Sequence, residues 1–521
     1  MVFFRICGEV HWSFRRYNGG MSDAIHKLYT AEQVRGIDYA AIHESGIAGY
    51  ELMCRAGQAI IDVARNHFPD ARRWVVMCGP GNNGGDGYVA ARLAAKAGID
   101  VTVCSMADPR RLKGDAATAY TDWQAGGGEV LQWPLSESGP YDLACDALLG
   151  TGIDRPVGGD FRGAIAWLNQ LDCPVLAIDI PSGLNSDTGL AMGCAVEAGH
   201  TVTFVGRKRG MYTADGPDHC GVISFDDLAI PGEAADQQSA GAGTLLSLDI
   251  IPGILGRRPR NSHKGNFGQI LAVGGIRGMS GAIRMCGEAA LRSGAGRVTL
   301  ATDPDHAGYV NLGRPELMVK SIGGKDDLTS LLNSDFTVAV GPGLGTANWS
   351  RALLKTCIES DASLVVDADG LNLLAQELQQ NPVKRNRWII TPHPVEAARL
   401  LACKVDEIQQ DRINATIALA ERLGACVVLK GCGTVVADAS GKYAICPLGN
   451  PGMSTAGSGD VLTGVIVALL GQGLSCFDAA SVGVLAHAAA GDHAAGLLGE
   501  LALIAGDITD ALPRVWMSAG L

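Results

Sequence analysis

Residues 450–464, Asn-Pro-Gly-Met-Ser-Thr-Ala-Gly-Ser-Gly-Asp-Val-Leu-Thr-Gly, join a glycine-rich loop to an apolar run that extends to Leu470. The run contains no proline, so it predicts a buried helix that begins close to Gly459. The free N–H groups at a helix N-terminus and the helix dipole both favour an anion such as phosphate. Residues 456–459 would supply those N–H groups.

Asp460 is the unusual member of this motif, because a carboxylate repels a phosphate. The repulsion favours a role on a second substrate, where Asp460 would take a proton from a hydroxyl that attacks phosphorus. The alternative is an N-terminal helix residue that only complements the dipole. A short glycine motif by itself gives the two interpretations equal weight.

Length, charge and cysteine content limit the classes of function. The chain of 521 residues is too long for a single hydrophobic core, and its length predicts roughly two to four domains. The net charge of −12, without a Lys/Arg cluster, argues against nucleic acid or an anionic membrane as a partner. The 15 cysteines include no C-x-x-C pair and no apolar stretch reaches membrane-spanning length, so we expect a soluble, cytoplasmic protein.

The first glycine-rich loop of the chain follows a predicted buried strand at residues 74–78. It reads Gly79-Pro80-Gly81-Asn82-Asn83-Gly84-Gly85-Asp86-Gly87 and precedes a predicted helix over 88–96. This arrangement satisfies the G-x-G-x-x-G dinucleotide pattern, so a nicotinamide dehydrogenase with Asp108 as its ribose ligand is one hypothesis. The polar side chains of the loop count against it, since that fingerprint has small or apolar residues at their positions.

Polar residues also follow the other predicted strands of the first half, at 101–104, 143–149 and 175–180. In a parallel sheet the loops after these strands meet at the carboxyl edge. Asn83, Asp146 and Ser182 would there offer oxygen ligands to a hard cation. Taken singly, Asp146 is better explained as a cap or turn residue and Ser182 as a turn residue, but their common position favours a site.

The second half repeats the order of strand, loop and helix. The predicted strands are 269–273, 336–340, 364–366, 388–390 and 426–429. Their polar loops predict one large cleft at the edge of a mostly parallel sheet with helices on both faces. Taken singly, Asp367 and Asp369 are better explained as turn formers, and His393 as part of a rigid surface corner.

Residues 231–243 are rich in Ala, Gly, Gln and Ser and predict a linker between the halves. The predicted units are an N-terminal extension over 1–20, a first domain over 21–236, a linker over 237–243 and a second domain over 244–521. Met21 is the expected functional start. Neither half is expected to borrow a loop from the other, so each should fold alone.

The motifs at 79–87, 146–152 and 179–183 closely resemble the NAD(P)H-hydrate epimerase domain. The resemblance implies potassium ligands at Asn83, Asp146 and Ser182, and an acid/base at Asp179. The implied contacts of the hydrated nucleotide are Asn82, Asn83, Gly84, Gly85, Asp86, Gly150, Thr151, Gly152, Ile153, Asp154, Arg155, Pro156 and Asp179.

The motifs at 341–345, 391–396, 430–434 and 450–464 closely resemble the ADP-dependent NAD(P)H-hydrate dehydratases of the ribokinase-like fold. Val395 departs from that family's pattern, where a glycine is expected. The resemblance implies that ADP is a co-substrate and that magnesium takes part. The residues implied to face the hydrate are Ala282, Gly343, His393 and Asp460, and those implied to bind ADP are Lys430, Gly431, Cys432, Gly433, Thr434 and Gly459.

Together the resemblances imply an α/β protein with a Rossmann-like N-terminal sheet and a ribokinase-like C-terminal sheet. It would interconvert the R and S epimers of NADHX and NADPHX and dehydrate the S epimer with ADP, releasing AMP and phosphate. Asp460 would activate the ring hydroxyl for attack on the β-phosphate, and a homo-oligomer is expected. The alternative is a ribokinase-like small-molecule kinase with a non-catalytic nucleotide-binding N-terminal domain.

Overall fold

The computed structural model describes residues 26–135, 139–332 and 335–521. The predicted extension over residues 1–20 lies outside the described residues. Two sheets organise the rest, and helices cover their faces. The predicted α/β fold class is confirmed.

The secondary structure of the N-terminal half alternates strands with helices. The strands are Lys27–Tyr29 (β1), Arg73–Cys78 (β2), Asp100–Ser105 (β3), Val130–Gln132 (β4), Leu143–Ala147 (β5), Val175–Ile178 (β6), His200–Phe204 (β7), Arg207–Lys208 (β8) and Val222–Asp226 (β9). The helices are Ala31–His43 (α1), Gly49–His67 (α2), Asn82–Lys96 (α3), Gly114–Ala125 (α4), Gly159–Leu168 (α5), Gly216–Cys220 (α6) and Gly232–Gln237 (α7).

The C-terminal half continues the alternation. Its strands are Gly243–Leu245 (β10), Gln269–Val273 (β11), Arg297–Thr302 (β12), Met318–Ser321 (β13), Phe336–Val340 (β14), Ser363–Val366 (β15), Trp388–Ile390 (β16), Cys426–Leu429 (β17), Thr434–Ala437 (β18) and Tyr443–Cys446 (β19). Its helices are Ile251–Leu255 (α8), Ser280–Arg292 (α9), Lys325–Leu331 (α10), Asn348–Glu359 (α11), Asp369–Glu377 (α12), Pro394–Leu401 (α13), Val405–Gln410 (α14), Arg412–Leu423 (α15), Ser458–Gly471 (α16), Cys476–Leu498 (α17) and Ala505–Ser518 (α18).

The N-terminal sheet is parallel throughout its described strands, in the order β4-β3-β2-β5-β6-β7-β9. Chain order reverses between β2 and β5, which pair in parallel with Met77 opposite Asp146. Such a switch point opens a crevice at the carboxyl ends of the two strands, where ligands of open α/β sheets bind. The loops after β2 and β5 are therefore placed to form a site.

The second sheet crosses from one half of the chain into the other. Over the described residues its order is β13-β12-β11-β14-β15-β16-β17-β18-β19-β10-β1-β8. The strands from β13 to β17 are parallel, and β18 and β19 follow as antiparallel neighbours. At the other edge β10 pairs with β19 and with β1, and β1 pairs with β8. Two strands of the N-terminal half thus complete the C-terminal sheet.

The segment predicted as a linker takes part in this sheet. Residues 232–237 form α7, and Gly243 begins β10. The Gln33 side-chain amide in α1 donates to the carbonyls of Gln238 (3.1 Å) and Ala240 (2.9 Å). The stretch is therefore not a free spacer, because it forms α7, bonds to Gln33 and leads into β10. The exact domain boundaries stay a prediction.

One apolar core also spans the two halves. Leu28, Ile180 and Met211 of the N-terminal half belong to the same buried cluster as Val427 and Ile445 of the C-terminal half. A shared core means that burial in one half depends on the other, so the expected independent folding of the halves has no support here.

The polar loop after β2 is a helix start. The sequence predicted a helix from residue 88, but α3 begins at Asn82 with Gly81 as its N-cap. A Cβ at Gly84 would overlap the carbonyl oxygen of Gly79, and one at Gly87 would lie 2.7 Å from the Ala147 side chain. The glycines therefore serve close packing of a helix against the sheet, not a loop.

In the parts of the chain that the structure describes, no helix is both long and apolar enough to span a membrane. The cysteines of those parts are free thiols.

Candidate active sites

A cavity of about 550 Å³ lies at the switch point of the N-terminal sheet. Of the residues predicted to contact the hydrated nucleotide, its walls contain Asn82, Asn83, Asp86, Gly150, Thr151, Gly152, Ile153 and Asp179. Asp154, Arg155 and Pro156 are exposed and lie outside these walls. Gly84 and Gly85 are buried in α3, where a Cβ at Gly85 would lie 2.6 Å from the Met53 side chain.

Asp179 follows β6 and is held by a lysine that the sequence analysis did not single out. Its backbone has a φ of +68°, which is uncommon for a residue with a side chain. Its Oδ1 accepts from the Lys208 ammonium group and from the Phe204 N–H (3.3 Å). The Lys208 side chain is fully buried, whereas that of Asp179 is 19% exposed and lines the cavity.

The other donors of Lys208 are also engaged. Its ammonium group donates to the Thr203 hydroxyl (2.9 Å) and to the Phe204 carbonyl (3.0 Å). A buried charge with every donor satisfied is fixed in position, and it fixes the orientation of the Asp179 carboxyl group.

Further carboxyl groups of the cavity have altered acidity. Burial raises the pKa of Asp38 in α1 to about 6, with Lys208 opposing and Asp179 adding to the shift. Burial, Asp179 and Asp38 together raise the pKa of Asp86 well above its usual value. The cavity therefore combines a lysine-paired carboxylate with carboxyl groups that retain protons more readily, an arrangement suited to proton transfer.

The three predicted potassium ligands are brought together behind this cavity. Asp146 is fully buried and accepts from the Ser182 hydroxyl (2.6 Å) and backbone N–H (2.7 Å). The Asn83 amide group donates to the Leu149 carbonyl (3.2 Å), and the Ser182 hydroxyl accepts from the Leu149 N–H (2.8 Å). Oδ1 of Asn83, a residue only 9% exposed, has no hydrogen-bond partner among the described residues.

The C-terminal motif forms the helix start that its sequence predicts. Helix α16 begins at Ser458, after Gly457 in a left-handed conformation (φ +90°), and Asp460 lies in its first turn. A Cβ at Gly459 would lie 3.4 Å from the Lys430 ammonium group and 3.6 Å from an Asp367 oxygen. The helix N-terminus, Lys430 and Asp367 thus meet at one point.

Asp367 joins this cluster together. It is 1% exposed, its Oδ1 accepts from the Lys430 ammonium group (2.7 Å), and its Oδ2 accepts from the Thr463 hydroxyl (2.8 Å). The interpretation of Asp367 as a turn former is therefore incomplete, because the side chain holds a buried ion pair. Asp369 is also more than a turn former, because it begins α12 and accepts from the N–H of the distant Gly345 (2.8 Å).

The charges of the cluster shift the acidity of its members. Burial and the nearby Asp367 raise the pKa of Asp460 to about 7, although Lys430 opposes the shift. Burial likewise raises the pKa of Glu396 to about 7. Burial disfavours the charge on Lys430, but Asp367 and Glu396 outweigh it and raise its pKa. A half-buried carboxyl with a pKa near neutrality has the acidity of a general base.

The residues predicted to face the hydrate differ in their surroundings. Gly343 and Ala282 are neighbours, since a Cβ at Gly343 would lie 3.0 Å from that of Ala282. His393 caps α13, and its Nδ1 accepts from the Val395 N–H (3.1 Å). Burial and Lys430 lower the pKa of His393, which agrees with a neutral ring whose Nδ1 is an acceptor.

The predicted nucleotide loop, residues 430–434, follows β17 and is in contact with the N-terminal half. The Thr213 hydroxyl donates to the Gly433 carbonyl (3.1 Å). Arg412, at the start of α15, donates from Nε to the Thr213 hydroxyl (3.2 Å). The two halves therefore touch at this loop, and the expectation that neither half borrows a loop from the other stays a prediction.

Sequence reasoning missed Asp38, Lys208, Thr213 and Arg412, and gave Thr463 no role. Only Lys208 carries a local signal, because a lysine four residues beyond the end of the buried strand β7 resembles Lys430, which directly follows β17. A larger cavity, of about 660 Å³, lies near Phe267 and Trp516 and contains none of the predicted residues.

Comparison with known families matches each half separately. Residues 49–210 match the family described as YjeF-related protein N-terminus. Residues 270–514 match the family described as NAD(P)H-hydrate dehydratase.

Full-length relatives match the chain as a whole. The protein named bifunctional NAD(P)H-hydrate repair enzyme Nnr of Coxiella burnetii is 44% identical over 481 residues, which cover 92% of this chain and 97% of the relative. Its namesake in Escherichia coli is 42% identical over 497 residues, 94% of each chain. A solved ADP/ATP-dependent NAD(P)H-hydrate dehydratase from Bacillus subtilis, co-crystallised with ATP/Mg²⁺, is 28% identical and covers 53% of this chain and 98% of its own, with a TM-score of 0.47.

Proposed function

This chain belongs to the family of bifunctional NAD(P)H-hydrate repair enzymes, and on that premise we propose that it restores NADH and NADPH from their hydrates. The N-terminal site interconverts the R and S epimers of NADHX and NADPHX. The C-terminal site dehydrates the S epimer with ADP, releasing AMP and phosphate. The observation that carries the proposal is that each set of motif residues gathers around a buried Lys–Asp pair within one chain.

In the epimerase site, Asp179 is proposed to exchange a proton with the hydrated ring. Its carboxyl group is partly exposed to the cavity, and the Lys208 ammonium group fixes its orientation as the proposed proton acceptor. Asp86, whose pKa is raised, is the complementary proton donor in the same cavity. Epimerisation needs both a proton acceptor and a proton donor, because a proton removed during the reaction must be returned before the other epimer is released.

The residues present fit a potassium ion in this half. The partnerless Oδ1 of Asn83 is buried near the Leu149 backbone, to which Ser182 also bonds, and Asp146 adds a buried negative charge. Hard oxygen donors of this kind suit a weakly held monovalent cation. Asn83, Asp146 and Ser182 would hold the ion, which would stabilise the loop that leads to Gly150.

In the dehydratase site, Asp460 is proposed to take the proton of the ring hydroxyl. The resulting oxygen attacks the β-phosphate of ADP, the new O–P bond forms, and the bond to AMP breaks. Elimination of phosphate, with loss of a ring proton, restores the double bond. Hydroxide is a poor leaving group and phosphate a good one, which is why phosphorylation precedes elimination.

The start of α16 and Lys430 support this transfer. The N-terminus of α16 and the ammonium group of Lys430 bring positive charge to the point where phosphoryl charge develops, although the Ser458 N–H is already engaged by the Thr455 carbonyl (3.3 Å). Asp367 and Thr463 fix the lysine network. Residues 430–434 and Gly459 are proposed to hold the nucleotide, with Ala282, Gly343 and His393 facing the hydrate.

The residues of the C-terminal half do not by themselves fit magnesium. No group of three or more His, Cys, Asp or Glu side chains converges on one point within the described ranges. Both oxygens of Asp367 are engaged by Lys430 and Thr463. No step of the proposed reaction is assigned to the metal.

Recovery of reduced-nicotinamide absorbance from a mixture of R and S hydrates tests the proposal. The wild-type chain should consume both epimers with ADP, and Asp179→Asn should consume only the S epimer on the same time scale. No recovery with either ADP or ATP contradicts the proposal. A stable phosphorylated alcohol in place of the reduced nucleotide would establish the kinase alternative.

A further inference from the structure

Thr213 of the N-terminal half lies against the predicted nucleotide loop, residues 430–434, of the C-terminal half. We propose that Thr213 and Arg412 form an interdomain bridge that holds this loop in the shape that binds ADP. Both are positioning residues, because they act through the backbone of the loop. The inference rests on the proposed function, which assigns ADP to the loop.

The bridge is a continuous set of buried hydrogen bonds. The Thr213 hydroxyl donates to the Gly433 carbonyl (3.1 Å) and accepts from Nε of Arg412 (3.2 Å). Nη2 of Arg412 donates to the carbonyls of Lys430 (3.2 Å) and Leu429 (3.4 Å). Thr213 is fully buried and Arg412 is 3% exposed, so water cannot replace these bonds.

Arg412 is unusual because its charged side chain is buried without a carboxylate partner among the described residues. Its hydrogen bonds go to carbonyl, amide and hydroxyl oxygens, and no salt bridge to a carboxylate is found among the described residues. Burial lowers its pKa to about 10, which still leaves it charged at neutral pH. Burying such a charge costs free energy unless hydrogen bonds compensate for the lost water, and here the carbonyls of the loop provide those bonds.

The glycines of the loop are explained by the same contact. Gly433 has a φ of +60°, and a Cβ there would overlap the Tyr212 carbonyl oxygen and lie 2.5 Å from Cα of Thr213. Gly431 has a φ of +136°, and a Cβ there would lie 2.9 Å from Nη2 of Arg412. The path of the loop is therefore set by N-terminal backbone at Gly433 and by the Arg412 side chain at Gly431.

The consequence for a nucleotide is preorganisation. Carbonyl oxygens repel phosphate, and the bridge engages four of them, those of Leu429, Lys430, Cys432 and Gly433. A loop already fixed in its bound shape loses less entropy when the nucleotide binds. Loss of the bridge should therefore weaken ADP binding more than it slows the chemical step, which depends on Asp460.

Substitution of Thr213 in the full chain tests the bridge. Thr213→Val keeps the shape of the side chain but leaves the Gly433 carbonyl and Nε of Arg412 without partners, so KM for ADP should rise about tenfold with kcat within about twofold. Thr213→Ser should restore KM to within about twofold of wild type. A purely structural role would lower Tm without this division between KM and kcat.

Thr201→Val is the matched control. Thr201 is a fully buried threonine of β7 whose hydroxyl also donates to a carbonyl, that of Cys220 (2.7 Å), but it has no contact with the loop. It should lower Tm and leave KM for ADP unchanged. If Thr213→Val yields no folded protein, Arg412→Lys takes its place, since lysine keeps the charge but cannot hold both Thr213 and the loop carbonyls.

The outcomes separate this inference from the proposed function. If wild-type protein neither binds ADP nor dehydrates the S hydrate, the proposed function fails. If wild-type protein does both, but folded Thr213→Val or Arg412→Lys has a KM for ADP within twofold of wild type, the bridge is refuted and the proposed function stands.

Discussion

Both halves of the molecule place a buried lysine–aspartate pair at the end of a parallel strand. Asp179 follows β6 and pairs with Lys208, whereas Asp367 follows β15 and pairs with Lys430. Each pair also involves a threonine, Thr203 in the first half and Thr463 in the second. The sheets that carry these pairs differ in topology, so the likeness lies in the local chemistry.

The pairs differ in which carboxyl group is left open to a substrate. In the N-terminal site the paired Asp179 itself borders the cavity, with 19% of its side chain exposed. In the C-terminal site the paired Asp367 is closed off on both oxygens, and the neighbouring Asp460 lies at the helix start. In the proposed mechanism, the ion pair is thus part of the reacting group in one site and the support for it in the other.

The arrangement in the C-terminal site explains the acidity of Asp460. Asp460 lies beside a negative charge that is already paired, so burial and Asp367 raise its pKa to about 7. A buried pair can therefore fix one charge or tune the acidity of a neighbour, depending on which group faces the substrate.

The largest expected effect is on the C-terminal base. Asp460→Asn should lower kcat for dehydration by about a hundredfold or more, the scale of general-base catalysis, with ADP binding nearly intact. Calorimetric titration with ADP and single-turnover dehydration measure the two quantities. Epimerisation by the same protein is the internal control, and near-normal dehydration would reject Asp460 as the base.

A smaller effect is expected when the N-terminal pair is broken. Lys208→Met leaves Asp179 partly buried without its partner, so it should slow epimerisation at least about tenfold and lower the free energy of unfolding by about 3 kcal/mol. The double variant Lys208→Met/Asp179→Asn removes both charges and should be more stable than Lys208→Met alone. With Asp179→Asn as the other single variant, these proteins form a double-mutant cycle. Additive losses in the free energy of unfolding would show that Lys208 and Asp179 are not coupled.

The cation site predicts a change in stability that does not depend on activity. Potassium should raise the Tm of the full chain by a few degrees, since a ligand present at about one hundred times its Kd adds about 2.7 kcal/mol. Asn83→Leu removes the free oxygen and should abolish the response. The matched control is Asn169→Leu, which loses bonds to Ala195 and Glu197 but should keep it. An equal response to choline would contradict a specific site.

The parallel strands were the most predictable part of the fold. Residues 269–273, 336–340, 388–390 and 426–429 were predicted with the bounds that the structure has. Strands buried on both faces have continuous apolar sequences, which are easy to recognise. The short strands β1, β8 and β10 were missed, because two or three residues carry no periodic pattern and their pairing joins distant parts of the chain.

The sites were predictable where a residue stands at a strand end. Asn83, Asp146 and Ser182 come together because their strands are neighbours in a parallel sheet, a relation that the order of motifs already indicates. Asp38 and Thr213 could not be found in this way. Asp38 is one polar residue on a helix, and Thr213 reaches its site only because the second sheet continues into the N-terminal half.

The smallest expected effect sharpens the comparison through the pH dependence of stability. The pKa of Asp460 is raised to about 7 from an ordinary value of 3.8, so between these values the folded state binds more protons than the unfolded state. Its contribution to stability is therefore fully present below about pH 4 and is lost as the pH rises through 7. Asp460→Asn removes this loss, so at pH 8 the variant should unfold at a higher urea concentration than wild type. The free energy of unfolding should rise by about 1 kcal/mol, after allowance for the solvent-exposed part of the group.

Asp179→Asn should have the opposite sign at the same pH, because it leaves the fully buried Lys208 without its carboxylate. Urea unfolding of both variants at pH 5 and pH 8 measures the two signs in one experiment. The gain for Asp460→Asn should shrink at pH 5, where wild-type Asp460 is already protonated. If both variants lost stability at pH 8, Asp460 would be held by its surroundings as firmly as Asp179, and the distinction between a paired reacting group and a tuned neighbour would fail.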